Sequence, residues 1–348
     1  MSNQHIHRNL GIDFFKALSI SAVVICHAHP FGVFDGSVRT TPEWFVNQLT
    51  RFAVPYFFII FGYFVGKKLK DNKDNFDLWR FFRDRAKFIL TIYAFWCLVY
   101  LVVTFDFYHI SKYSYPALVY WKIIDILKHP LESIFTGTKT HLWFLPSLII
   151  SFLTVVLIYS YNKKYLLPIT LILYLIGVLG GSYQFTAIGL DLPFDTRNGP
   201  FLGSFFITVG IVLSKRETLR VSMPLAMSLL CFGIIGQLSE VYFLSTAFKM
   251  DPTKIDYVFS TIIFGIAVMI LAFSINIKKS TWFTDLGKYT LSVNLIHLLL
   301  IELLRPLALF TPSWIYAATV PLTVLILSFS TILIFSKFPK ARPLLGMN

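Results

Sequence analysis

Charge is what this sequence has least of. Only 14% of its 348 residues are Asp, Glu, Lys or Arg, against roughly a quarter in a water-soluble domain. That shortage excludes a chain that wraps itself in a solvated surface. Cysteine is scarce as well: Cys26, Cys97 and Cys231 stand far apart, with no Cys-x-x-Cys spacing. They read as small core residues, not as a disulfide framework or a metal site. No metal is expected. No small-residue cleavage site follows the apolar run Leu10–Cys26, so the first segment reads as a retained span. Internal repeats, low-complexity tracts and a soluble domain are also missing.

What is present is apolar. Hydrophobic residues make up 56% of the chain and aromatics 17%, in blocks of about 18, the length that crosses a hydrocarbon core of roughly 30 Å. The reading is an all-α polytopic bundle of about ten spans in a single domain covering residues 1–348. The spans are drawn at Leu10–His29, Gln48–Gly66, Ala86–Phe105, Leu142–Tyr161, Leu166–Gly181, Phe201–Leu213, Met223–Phe243, Tyr257–Ile275, Leu286–Leu303 and Ser313–Phe335. The sixth is short, with Gly199, Pro200 and Gly203 at its start, and is expected to be broken or partly re-entrant. The aromatic loop Asp106–His141 is expected to lie along the interface as an amphipathic helix.

The net charge of +13 would suggest nucleic acid in a soluble chain. Here the basic residues sit in short loops, so membrane lipids and not nucleic acid are the expected surroundings. Segments on the side of the termini, Arg8 and Lys73 among them, hold twenty Lys and Arg, and the opposite loops, Arg39 included, hold ten. That bias predicts both termini in the cytoplasm.

Ionisable residues within spans are costly and mark candidate sites. The first span has Asp13, Lys16 and His27. Lys16 and His27 lie eleven residues apart, which leaves only about 20° between them on a helix and about 16 Å along its axis. A local Asp13–Lys16 pair and an ordinary interfacial histidine are the plain alternatives. His297 and Glu302 lie about 140° apart on the ninth span, and His297 needs a partner from Glu302 or from another helix. His141 and Trp143, and Arg197 and Asn198, stand at the outer entrances of the fourth and sixth spans as candidates for holding an acceptor. Asp191, Asp195 and Glu240 read as solvated outer charges.

The segment LGIDFFKALSISAVVICH (Leu10–His27) resembles the first span of the acyltransferase-3 family of bacterial membrane acyltransferases, of the polysaccharide O-acetyltransferase type. The hallmark is a basic residue, ten intervening positions and a histidine, matched by Lys16 and His27. RFAVPYFFIIFGYF (Arg51–Phe64), HLWFLPSLI (His141–Ile149), TRNGPFLGSFFITVGIVL (Thr196–Leu213) and LGKYTLSVNLIHLLLIE (Leu286–Glu302) resemble later segments, in order. Two departures stand out. Phe61 occupies a position where a serine is usual, and Phe88 stands where a second arginine would follow Arg85 before the third span.

The resemblance implies transfer of an acyl group, usually acetyl, from cytoplasmic acyl-CoA to a hydroxyl of a saccharide or glycolipid in the bacterial plasma membrane. His27 would be the general base, because the unperturbed imidazole pKa lies near operating pH. Asp13 and Lys16 would orient donor groups deeper in the same channel, and His297 would be a second catalytic or donor-positioning group. Arg83, Arg85 and Lys87 would meet the coenzyme phosphates as a field of charge. His141, Trp143, Arg197, Asn198 and Glu302 would border the acceptor. Cys26 neighbours His27 in sequence but points about 100° away from it, so direct transfer is expected over an acyl-enzyme. A transporter or flippase for a glycan or small solute would use the same polar residues, and a structural subunit of an envelope complex would need none of them.

Overall fold

A computed structural model describes residues 9–28, 41–71, 76–105, 107–216 and 220–347. His29, and Arg8, Arg39 and Lys73 of the charge comparison, lie outside the described residues, as does Asp106 of the outer loop. Among the described residues the chain is helical, without strands. In order run α1 (Leu10–Ala28), α2 (Thr41–Thr50), α3 (Ala53–Asp71), α4 (Leu78–Val102), α5 (Phe107–Tyr113), α6 (Tyr115–Lys128), α7 (Pro130–Thr136) and α8 (Phe144–Asn162). The second half adds α9 (Leu166–Gly180), α10 (Pro200–Ser214), α11 (Met223–Phe248), α12 (Thr261–Ser274), α13 (Trp282–Leu286), α14 (Thr290–Leu304) and α15 (Ser313–Phe335).

Seven stretches are helical, long and apolar enough to cross a membrane, and one of them, Thr140–Gly180, holds both α8 and α9. The shorter apolar helices α10 and α12 complete the bundle. The sixth span differs from expectation: α10 is unbroken from Pro200 to Ser214. Its irregular backbone lies just before it, in a 3-10 turn at Thr196–Asn198. The helix is short because it sits inside the protein, where eleven of its fifteen residues are buried.

Close approach of α3 and α10 explains that burial. A Cβ on Gly62 would fall 2.0 Å from the Ile207 carbonyl oxygen, and one on Gly210 would fall 2.0 Å from that of Ile59. Small residues let two backbones meet where no hydrophobic force drives helices together.

Three other boundaries shift for local reasons. The second span begins at Ala53, because a turn at Arg51–Phe52 separates α2 from α3. That break frees Gln48 and Arg51 to face residues 252–256. The eighth begins at Thr261: Glu240 accepts hydrogen bonds from the Phe259 and Ser260 amides, which holds that backbone outside the helix. The ninth is interrupted between α13 and α14, where Gly287 passes so near the Asp13 carbonyl that a Cβ would lie 2.3 Å from it. The loop expected to lie outside forms three short helices, and α6 and α7 bury none of their residues. None of the three cysteines is fully buried, and Cys231 is exposed on α11, a peripheral helix with few buried positions. The expectation of core cysteines is therefore corrected.

Candidate functional site

The last turn of α1 and the middle of α14 meet at two histidines. His297 is fully buried, and its Nδ1 faces only acceptors, the carbonyl oxygens of Asn294 at 2.8 Å and Val293 at 3.2 Å. Nδ1 of His297 therefore carries the proton, and its Nε2 is an acceptor. His27 Nδ1 lies 2.8 Å from that Nε2 and donates to it. A neutral His27 ring then has its lone pair at Nε2. The rings stack at 5.0 Å between centroids. His141, in the turn before α8, packs edge-on against His297 at 5.2 Å and against Tyr100 at 4.9 Å. The partner that His297 lacked in sequence is thus His27 on another helix, not Glu302.

A cavity of about 320 Å³ runs along this cluster. His27, His141, Trp143 and Asn294 border it, as do Arg85 and Phe88 of α4 and the polar trio Arg51, Arg197 and Asp256. Beyond that trio opens a second, larger cavity of about 1690 Å³, and Arg197, Asp256 and Tyr257 belong to both walls. Asn198 borders the larger one only.

Asp256 organises the junction. Its Oδ1 accepts from Arg51 Nη1 at 2.7 Å and its Oδ2 from Arg197 Nη1 at 3.0 Å. Arg197 also pairs with Asp195 at 2.9 Å and stacks over Trp143 at 5.3 Å. Burial works against the Arg197 charge, but Asp256 and Asp195 more than offset it, so its pKa rises. Burial pushes the Asp195 carboxyl up, Arg197 pulls it down, and Asp256 adds to the rise. A buried lattice holds this segment: Gln48 Nε2 donates to the Pro252 and Ile255 carbonyls, and Gln237 Nε2 donates to Gln48 Oε1. Tyr257 donates to Thr196 Oγ1 at 2.8 Å, tying the 3-10 turn to the same segment.

Several expected site residues lie elsewhere. Lys16 pairs locally with Asp13 at 3.2 Å and sits 5.3 Å from the Phe64 ring; neither borders the His27 cavity. Arg83 and Lys87 border a shallow groove on another face of α4, apart from Arg85. Two residues along a helix turn a side chain by about 200°, so Arg85 faces away from Arg83 and Lys87. Glu302 pairs with Lys139 and accepts from the Phe105 amide at 3.2 Å, so it ties α14 to neighbouring loops and does not border the cavity. Cys26 does border it, contrary to expectation, and its sulfur accepts from Asn47 at 3.4 Å. At the open end of a helix, adjacent side chains can both reach one space. Asp195 and Glu240, read as ordinary solvated charges, are both engaged, Glu240 with the Tyr183 hydroxyl as well.

Asp256 and Asn294 escaped the sequence reading. Asn294 carried a usable signal, being a polar residue one turn before His297 on an otherwise apolar helix. Asp256 gave none, because its arginine partners lie 205 and 59 residues away in the chain.

Fold and site together define a helical membrane protein with a hydrogen-bonded histidine pair beside one of two adjoining cavities. The profile of the acyltransferase-3 family, an acyltransferase domain, matches residues 9–336, and the chain belongs to that family. Among curated proteins it is 26% identical over 321 residues to an amino-acid racemase of Enterococcus faecalis, covering 88% of this chain and 43% of that protein. It is 29% identical over 259 residues to a serine/alanine racemase of Enterococcus gallinarum, covering 68% of this chain and 33% of the relative. The chain thus spans less than half the length of these relatives. No solved structure matches.

Proposed function

We propose that the chain is a plasma-membrane O-acyltransferase that moves an acyl group, acetyl by preference, from acyl-CoA to a hydroxyl of an envelope saccharide or lipid-linked sugar. The observation that carries this reading is the His27–His297 hydrogen bond beside a cavity whose wall includes His27, Arg85 and Arg197. Direct transfer needs one base within reach of both substrates. His297 holds His27 in the tautomer that presents Nε2, the position from which a hydroxyl proton can be taken. The protein's part is then orientation and proton handling, while coenzyme A supplies the activated thioester.

The donor would enter on the side of Arg85, a single guanidinium where a pair was expected, and the acceptor through the larger cavity beside Arg197 and Asn198. Both termini would be cytoplasmic, in keeping with the charge bias. The test is mass spectrometry of envelope polysaccharide from cells with the wild type and with His27→Ala. Loss of the acetyl mark, with the variant still inserted, is expected; unchanged acetylation would sink the reading.

The names of the relatives favour a second reading, in which the connected cavities pass an amino acid across the membrane. It predicts serine or alanine flux that survives His27→Ala, measured with radiolabelled amino acid in vesicles.

A further inference from the structure

The cavity beside His27 is bordered by two residues with polar atoms that have no hydrogen-bond partner among the described residues. His141 is 2% exposed, and neither of its ring nitrogens has a hydrogen-bond partner among the described residues. The Nδ2 of Asn294 is buried and equally unpartnered. Both residues border the same cavity as His27. Buried polar groups left without a hydrogen bond are costly, and such orphans beside a cavity point to a group that binds there. The helix fixes Asn294 firmly, since its carbonyl accepts from His297 Nδ1. His141 is wedged between the Tyr100 and His297 rings.

We propose that Asn294 Nδ2–H and one ring N–H of His141 form an oxyanion site for the tetrahedral intermediate of acyl transfer. The inference rests on the acyltransferase reading above and extends it to two residues with a role of their own. In the step concerned, His27 Nε2 takes the acceptor hydroxyl proton as the hydroxyl oxygen bonds to the thioester carbonyl carbon. The carbonyl π electrons move to oxygen, and that oxyanion accepts hydrogen bonds from Asn294 and His141. When the carbonyl re-forms, the C–S bond breaks and the coenzyme thiolate takes the proton from the His27 imidazolium. Donors placed in advance in a water-poor cavity act where charge develops and need no reorganisation.

The test compares two coenzyme A analogues on purified protein in nanodiscs. Trifluoroacetonyl-CoA forms a tetrahedral hydrate or alkoxide, and acetonyl-CoA remains a planar ketone. Wild type is expected to prefer the fluorinated analogue, and Asn294→Ala and His141→Ala are each expected to lose most of that preference while acetonyl-CoA affinity holds. A distorted pocket would instead weaken both analogues alike. Where the alanine variants do not fold, Asn294→Asp and His141→Phe give the same comparison with shape retained. In turnover, losing one such donor costs on the order of 10²-fold in kcat, with KM for acetyl-CoA little changed. An unchanged preference in folded variants overturns the oxyanion assignment and leaves the acyltransferase reading standing. Failure of wild type to bind either analogue overturns both.

Discussion

Asp256 answers two half-buried arginines with one carboxylate. Its side chain and that of Arg51 are 22% and 18% exposed, so water does little to soften its loss. Asp256→Ala would leave two like charges facing each other, and breaking a buried pair in this way costs about 3–5 kcal/mol. The expected result is a clear fall in the thermal unfolding midpoint in detergent, with Asp256→Glu recovering part of it. Glu302 poses the opposite case, a carboxylate first read as an acceptor contact that the fold uses as a tie. Glu302→Gln is expected to lower the unfolding midpoint by the weight of a charged hydrogen bond, about 1.5–3 kcal/mol, while KM for a saccharide acceptor holds. A large rise in KM without loss of stability would restore the sequence reading. His27 stood out as a candidate because the Lys16–His27 spacing resembles the family's first span. Its hydrogen bond to His297 crosses 270 residues of chain, and no local pattern encodes such a distance.

Helices were legible in kind and less so at their ends. Apolar runs announce where a helix must lie, but its first residue depends on which backbone groups another element captures. Glu240 does this to Phe259 and Ser260, and a carboxylate on a separate helix leaves no trace beside them in the sequence. Packing of α3 on α10 gives a prediction at this scale. Gly62→Ala or Gly210→Ala would drive a methyl group against a backbone oxygen 2.0 Å away, which no rotamer can relieve. The two helices must part, at a cost of 1–3 kcal/mol or more, seen as loss of monodisperse protein on size exclusion. Gly236→Ala is the control, because its Cβ would meet only the Ser260 side chain, at 3.0 Å.

For the whole molecule, the charge bias predicts which face meets the cytoplasm. Cysteine placed at Lys254, in a background lacking Cys26, Cys97 and Cys231, is expected to react with a membrane-impermeant maleimide on intact cells. Cysteine at Lys164 is expected to react only after lysis, and the reverse pattern would invert the topology. The expected arrangement of the ends rests on loop charges alone, whereas the cavities were not legible at all, since their walls come from helices spread along most of the chain. The junction at Asp256 also bears on the cell's energy supply. On the proposed function, a passage admitting a bulky thioester from one side and a sugar from the other would threaten to short-circuit the ion gradient of the membrane around it. Arg51, Asp256, Arg197 and Asp195, paired with one another where the two spaces adjoin, set two cations against two carboxylates and form a plug. Proteoliposomes bearing Asp256→Ala, if they assemble, should discharge a potassium gradient faster than those bearing the wild type. Insulation, as much as catalysis, then constrains what this junction can become.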